Sequence, residues 1–222
     1  MLGTVEHFDE KGAFVMKPLR HPGEARGFLL DWDGVLADTR LDFSLLRGKY
    51  FGGKIVPLFE SAAALPEPDR SEVLAEIHKV EMEGAAAAGA VEGAKDLIAW
   101  LTEACKPWAV ISRNCRDSIL LAAKQCGIVL PSVTLSREDP YVKPDFRALR
   151  LAAERLGVAL ADCVMVGDFV YDLKAAQNAG IPSVLVRKKT GAEWESLANF
   201  AYDTVKEFVE DLRSEGLRPE GA

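Results

Sequence analysis

The chain has 222 residues, 49% of them apolar, with 27 Lys and Arg against 34 Asp and Glu for a formal net charge of -7. That length supports one α/β domain with a modest insertion, and the acidic balance excludes general electrostatic attraction to nucleic acid or anionic lipid. No apolar run approaches the roughly eighteen residues of a membrane span, and the opening MLGTVEHFDEKGAF lacks the basic-then-apolar order of a secretory signal, so a cytoplasmic protein is expected.

In chain order, the first strong signal is the apolar run FLLDW (28 to 32), expected to be a buried strand ending in Asp31-Trp32-Asp33-Gly34. Strand alternation places Asp31 and Asp33 on one side, with Trp32 toward the core. Gly34 allows close approach of backbone to a ligand. Taken alone, this segment also admits a second reading as a solvated acidic turn.

From about 41 to 90 the pattern is helical without a convincing strand, and it returns through the small-residue run GAAAAGA (84 to 90), either a hinge or an ordinary helix end. We expect a small all-helical cap over 41–90, inserted after the first strand, with the core formed by 1–40 and 91–222. Arg47, Lys49 and Lys54 cluster around Gly48, Gly52 and Gly53, suiting either a solvated helix face or a grip on an anionic group.

Beyond this unit, strands are expected at WAVIS (108 to 112), VTLS (133 to 136), CVMVGD (163 to 168) and SVLVR (183 to 187). Helical spacing fills the gaps, from 93, 118, 145 and 171, and DTVKEFVEDL (203 to 212) reads as an amphipathic helix. Alternating strand and helix implies a Rossmann-like α/β fold, a parallel sheet sandwiched by helices.

Three of these strand ends also carry chemistry. Ser112 follows WAVIS beside Arg113 and Asn114 where a helix opens, an anion-binding end or a simple helix cap. Lys143 precedes Pro144, which fits the first turn of the next helix. VMVGDFVYD delivers Asp168 and, one helical turn later, Asp172, acidic groups that are costly after a buried strand unless they meet a cation or good partners. In sequence, DxD, Ser, Lys and GDxxxD all open on the carboxyl edge of one parallel sheet, where ligands bind in such folds.

Through DWDGVLADT, VISRN, YVKPD and GDFVYDLKAAQNAG, over roughly residues 26 to 190, the chain resembles the haloacid dehalogenase superfamily, especially its phosphoglycolate-phosphatase-like branch. The resemblance implies a phosphatase in which Asp31 attacks phosphorus, Asp33 acts as general acid and base, and Ser112 and Lys143 hold the phosphoryl oxygens. It implies Mg2+ bound by Asp31, the backbone carbonyl of Asp33 and Asp168, with Asp172 orienting the shell, and a phosphate contact from the Gly34 amide. Trp32 and Val35 depart from the usual smaller residue and threonine. Asp33 argues against dehalogenases and phosphonate-cleaving members.

A small phosphorylated metabolite is therefore the expected partner, with glycolate, sugar and nucleotide phosphates all small enough, and the protein a monomer or homodimer. The alternatives are a phosphomutase, since DGVLADT also resembles β-phosphoglucomutases, or a phosphate-ester binder without turnover. Cys105, Cys115, Cys126 and Cys163 contain no CxxC pair and are read as reduced, structural thiols.

Overall fold

A computed structural model describes residues 19–54, 56–187 and 189–215. The opening segment read above for a secretory signal lies outside them. Strands β1 (Gly27–Leu30), β4 (Trp108–Ile111), β5 (Thr134–Leu135), β6 (Cys163–Gly167), β7 (Ser183–Val186) and β8 (Phe200–Tyr202) form a parallel sheet in the order β5-β4-β1-β6-β7-β8. All five expected strands are present. The sixth, β8, was not expected, because its apolar run, Phe200-Ala201-Tyr202, is only three residues long.

Alternation along the strands divides the core in two. Phe28, Leu30, Val110, Val164 and Val166 face one apolar layer, whereas Leu29, Ala109, Ile111 and Met165 face the other. Helices α4 (Ala94–Glu103), α5 (Arg116–Cys126) and α8 (Val205–Glu215) cover the first, and α6 (Phe146–Leu156) and α7 (Val170–Ala179) the second. Ala148, Ala152, Ala175 and Ala176 keep α6 and α7 close to the sheet. The amphipathic helix expected from 203 packs on its own domain, burying Val205, Phe208, Val209 and Leu212.

Pro144 lies outside the first turn of α6, contrary to expectation. That helix begins at Phe146 and is capped by Asp145, whose carboxylate accepts the Arg147 N–H at 2.9 Å.

Between β1 and β4 the chain forms α1 (Ser44–Phe51), α2 (Leu58–Ala63) and α3 (Asp69–Ala86), which pack around Leu46, Leu58, Ala62, Val73 and Ile77 as an apolar cluster distinct from the two beside the sheet. The chain leaves through β2 (Ala37–Asp38) and returns through β3 (Gly89–Ala90), and these pair antiparallel. GAAAAGA thus combines a helix end with a strand. Gly84 is required where α3 passes the outgoing chain, since a Cβ there would sit 2.6 Å from the Thr39 carbonyl oxygen. No helix among the described residues is long and apolar enough to cross a membrane.

Phe208 is fully buried at the junction of α8 and the sheet. Phe208→Ala is expected to lower the unfolding free energy by about 3–5 kcal/mol, measured as a reduced urea midpoint with unchanged slope.

Candidate active site

The sheet order reverses direction at β1: the chain proceeds outward to β4 and β5, then crosses back to β6 on the opposite side. A crevice therefore opens at the carboxyl ends of β1, β4 and β6. Asp31 extends the β1 ladder, its N–H donating to the Val166 carbonyl at 2.9 Å, while its Oδ1 accepts the Trp32 N–H at 2.7 Å. The chain then folds tightly, with the Leu36 and Ala37 amides both donating to the Trp32 carbonyl at 2.9 Å. Trp32 itself is fully buried in the core, as alternation predicts.

Gly34 occupies this turn at φ +72°, and a Cβ on it would lie 2.3 Å from Oδ2 of Asp168. Any side chain would displace that carboxylate. The expected contact from the Gly34 amide to a ligand needs correcting, because this N–H donates to the Ala37 carbonyl at 2.9 Å. What Gly34 contributes is space.

Lys143, 1% exposed, donates to Oδ1 of Asp31 at 2.7 Å and to Oδ1 of Asp172 at 2.6 Å. The second oxygen of Asp172, also 1% exposed, accepts the Phe169 N–H at 3.1 Å at the start of α7. Asp31, Asp168 and Asp172 bring one carboxylate oxygen each within 4.8 Å of one another. Burial, reinforced by Asp172 and opposed by Arg187 and Lys143, raises the Asp168 carboxyl to about 7. Asp31 is likewise held well above the ordinary carboxylate range by burial and by Asp172, against the pull of Lys143. Burial lowers the Lys143 pKa, but Asp172 and Asp31 outweigh it, so the net shift is upward.

Three crowded carboxylates beside one ammonium leave negative charge in excess. Their all-oxygen donor set suits a hard divalent cation.

Asp33 is held by two neighbours: the Thr39 hydroxyl donates to Oδ1, and the Asn114 amide donates to Oδ2 at 2.5 Å. Burial raises its carboxyl to about 6, with these two hydrogen bonds working in the other direction. Ser112, buried at the end of β4, donates its N–H to the Leu135 carbonyl at 2.9 Å, and its Oγ accepts the Asn114 N–H at 3.1 Å. Its hydroxyl proton remains for an acceptor in the crevice.

Arg113 and Asn114, expected beside Ser112 at an anion-binding end or helix cap, are both engaged within the protein. Asn114 orients Asp33. Arg113 donates to the Lys143 carbonyl, reaches both Glu60 oxygens on α2 at 2.8 Å and lies 4.4 Å from the Tyr171 ring centre. It joins the helical unit to the core. Arg137 does the same, forming an ion pair with buried Glu81 on α3.

Sequence reasoning missed Thr39, although it stands inside DWDGVLADT, and the two cross-unit partners Glu60 and Glu81. A cavity of about 170 Å³ lies between α1–α3 and the core, lined by Arg47, Phe59, Glu81, Asn114, Arg137 and Tyr171 among others. The basic cluster of α1 divides here. Arg47 lines the cavity, and its buried Nε has no hydrogen-bond partner. Lys49 pairs with Glu76 at 2.7 Å, while Lys54 is exposed.

Comparison with known proteins agrees with this geometry. The family model for haloacid dehalogenase-like hydrolases matches residues 25–180. A phosphoglycolate phosphatase of Xylella fastidiosa is 43% identical over 61 residues, 28% of this chain, so the match spans only 25% of that relative. An N-acetylmuramic acid 6-phosphate phosphatase of Pseudomonas putida is 26% identical over 210 residues, covering 85% of this chain and 94% of that one. Among solved structures, a β-phosphoglucomutase from Clostridium difficile aligns with TM-score 0.67 over 87% of this chain and all of its own, at 16% identity, a likeness of fold alone.

Lys143→Met would leave Asp31 and the buried Asp172 side by side without their shared cation. The unfolding free energy is expected to fall by about 3–5 kcal/mol, read from urea denaturation followed by circular dichroism.

Proposed function

Because the chain belongs to the haloacid dehalogenase-like hydrolase family, we propose that it is a phosphatase hydrolysing a small-molecule phosphate monoester through an aspartyl-phosphate on Asp31. The observation that carries this reading is the placement of Asp31, paired with Lys143 at 2.7 Å, in one crevice with Asp33, Ser112 and Asp168.

The Asp31 carboxylate attacks phosphorus in line, forming an O–P bond as the bond from phosphorus to the ester oxygen breaks. Asp33 transfers its proton to the departing alcohol oxygen. Water then attacks the same phosphorus while Asp33 takes its proton, and the bond to Asp31 breaks to release inorganic phosphate. A carboxyl raised to about 6 has both forms accessible near neutrality, which these opposite transfers require. Thr39 and Asn114 hold the two Asp33 oxygens in position throughout.

Lys143 and the Ser112 hydroxyl stabilise charge on the equatorial phosphoryl oxygens. Mg2+ is the proposed metal, held by the Asp31 and Asp168 carboxylates and the Asp33 carbonyl. When bound, it offsets repulsion between carboxylate and phosphate. Asp172, whose oxygens serve Lys143 and the start of α7, positions the lysine and the cation shell rather than touching substrate.

We read residues 41–90 as a cap that covers the crevice and excludes bulk water. The relatives act on an acid-bearing ester or a phosphorylated amino sugar acid, according to their names. Arg47, unlike Arg113 and Arg137, keeps an unpartnered nitrogen at the cavity and is our candidate for an anionic substituent of the substrate. A cytoplasmic monomer or homodimer acting on a free metabolite fits this reading.

Release of inorganic phosphate should be measured across a panel containing phosphoglycolate, N-acetylmuramic acid 6-phosphate, hexitol phosphates and hexose 1-phosphates. Turnover is expected with Mg2+, lost with chelator, and reduced at least about 10³-fold by Asp31→Asn. Conversion of a hexose 1-phosphate to its 6-phosphate without phosphate release would instead establish a mutase. Tight ester binding without either reaction would establish a binding protein.

On the best substrate, Arg47→Ala is expected to raise KM about tenfold or more with little change in kcat. Equal kinetics for both proteins would remove Arg47 from the substrate site.

A further inference from the structure

A second group of metal-ligating side chains lies where α3 meets the start of α5. His78 and Glu81 stand three residues apart on one face of α3, and Cys115 precedes the first turn of α5. One ligand atom from each lies within 4.8 Å of the others. Unlike the oxygen-only cluster of Asp31, Asp168 and Asp172, this set offers sulfur, nitrogen and oxygen. We propose that His78, Glu81 and Cys115 bind Zn2+ or a cation of similar character, fastening the helical unit to the core.

The separation of the softer ligands supports this assignment. Zn–S and Zn–N bonds of about 2.3 and 2.05 Å at a tetrahedral angle place sulfur and nitrogen about 3.6 Å apart. Cys115 Sγ and His78 Nδ1 are 3.6 Å apart, joined by a hydrogen bond whose proton a cation would replace at the same separation. Glu81 retains capacity for the third bond. Its Oε2 accepts the Cys115 N–H at 3.3 Å and Arg137 at 3.0 Å, while Oε1 accepts a single bond from Arg137 and keeps a lone pair. Water would complete the tetrahedron from the side of exposed His78, which also provides the route of entry.

Cation binding requires the Cys115 thiol to release its proton to solvent as the sulfur–metal bond forms, and neutral His78 to supply Nδ1. No electron changes hands. Mg2+ does not compete effectively, since it favours the oxygen cluster over thiolate and imidazole. Asp31, Asp168 and Asp172, conversely, cannot give a thiolate signal. The two sites are therefore separable by spectroscopy, and this assignment does not depend on the reaction proposed above.

The test is titration of the full-length protein with Co2+ in excess Mg2+, following sulfur-to-cobalt charge-transfer absorption in the near ultraviolet. One Co2+ per chain is expected to develop the band, and Zn2+ to displace it. Cys115→Ser should abolish the band while Cys105→Ser leaves it intact. His78→Ala, which alters an exposed residue and keeps every thiol, should weaken Co2+ binding at least about tenfold. Absence of a thiolate band in the wild-type protein, the same band in Cys115→Ser, or unchanged affinity in His78→Ala would overturn the assignment.

Discussion

The site depends on one buried ammonium. Lys143 sits between Asp31 and Asp172 with almost no solvent, so three ionisable groups are stable there only as a unit. Through Asp31 it fixes the end of β1, and through Asp172 the start of α7, linking the two neighbouring strand ends that supply carboxylates. One lysine does not balance the three acids of the cluster; burial first, and the charge of Asp172 second, hold the Asp31 and Asp168 carboxyls above the ordinary range. The same charge excess favours a divalent cation.

The core architecture supplies the precision this cluster needs. Central strand β1 is hydrogen-bonded on both sides, to β4 and β6, and its backbone connection continues to Asp31. Gly34 admits the Asp168 carboxylate where any other residue would exclude it. Asp33 is fixed from opposite directions, by Thr39 on the chain entering the helical unit and by Asn114 at the end of β4. Its geometry is consequently tied to the same outgoing segment that carries α1–α3.

Legibility in the sequence followed the range of the interaction. Strands β1, β4, β5, β6 and β7 and the inward Trp32 were readable because each is announced by adjacent residues. The apolar run of edge strand β8 is too short to announce it. The partners of Arg113 and Arg137 were unreadable because Glu60 and Glu81 are ordinary helical glutamates until tertiary packing brings them across. Arg113 was expected at an anion-binding end because it follows Ser112 where a helix opens, yet its long side chain reaches over Tyr171 to α2. The Gly34 amide was misassigned for another reason: a tight turn can use an amide internally, and no residue type announces that choice. His78 and Cys115 lie far apart in sequence, so their meeting also required the fold.

The β2–β3 ribbon has a mechanical consequence. Antiparallel pairing of Ala37 with Ala90 and Asp38 with Gly89 resists sliding of the helical unit along its two connections but leaves rotation about them as the softer motion. Helix α3, 18 residues long, ends close to that ribbon. At 1.5 Å per residue it forms a lever of about 27 Å, so a tilt of about 10° at its base carries its far end through about 5 Å. A rotation there would carry the far end of α3 through a distance comparable to the width of a small substrate, while Asp31 and Asp168, directly after β1 and β6, stay with the sheet.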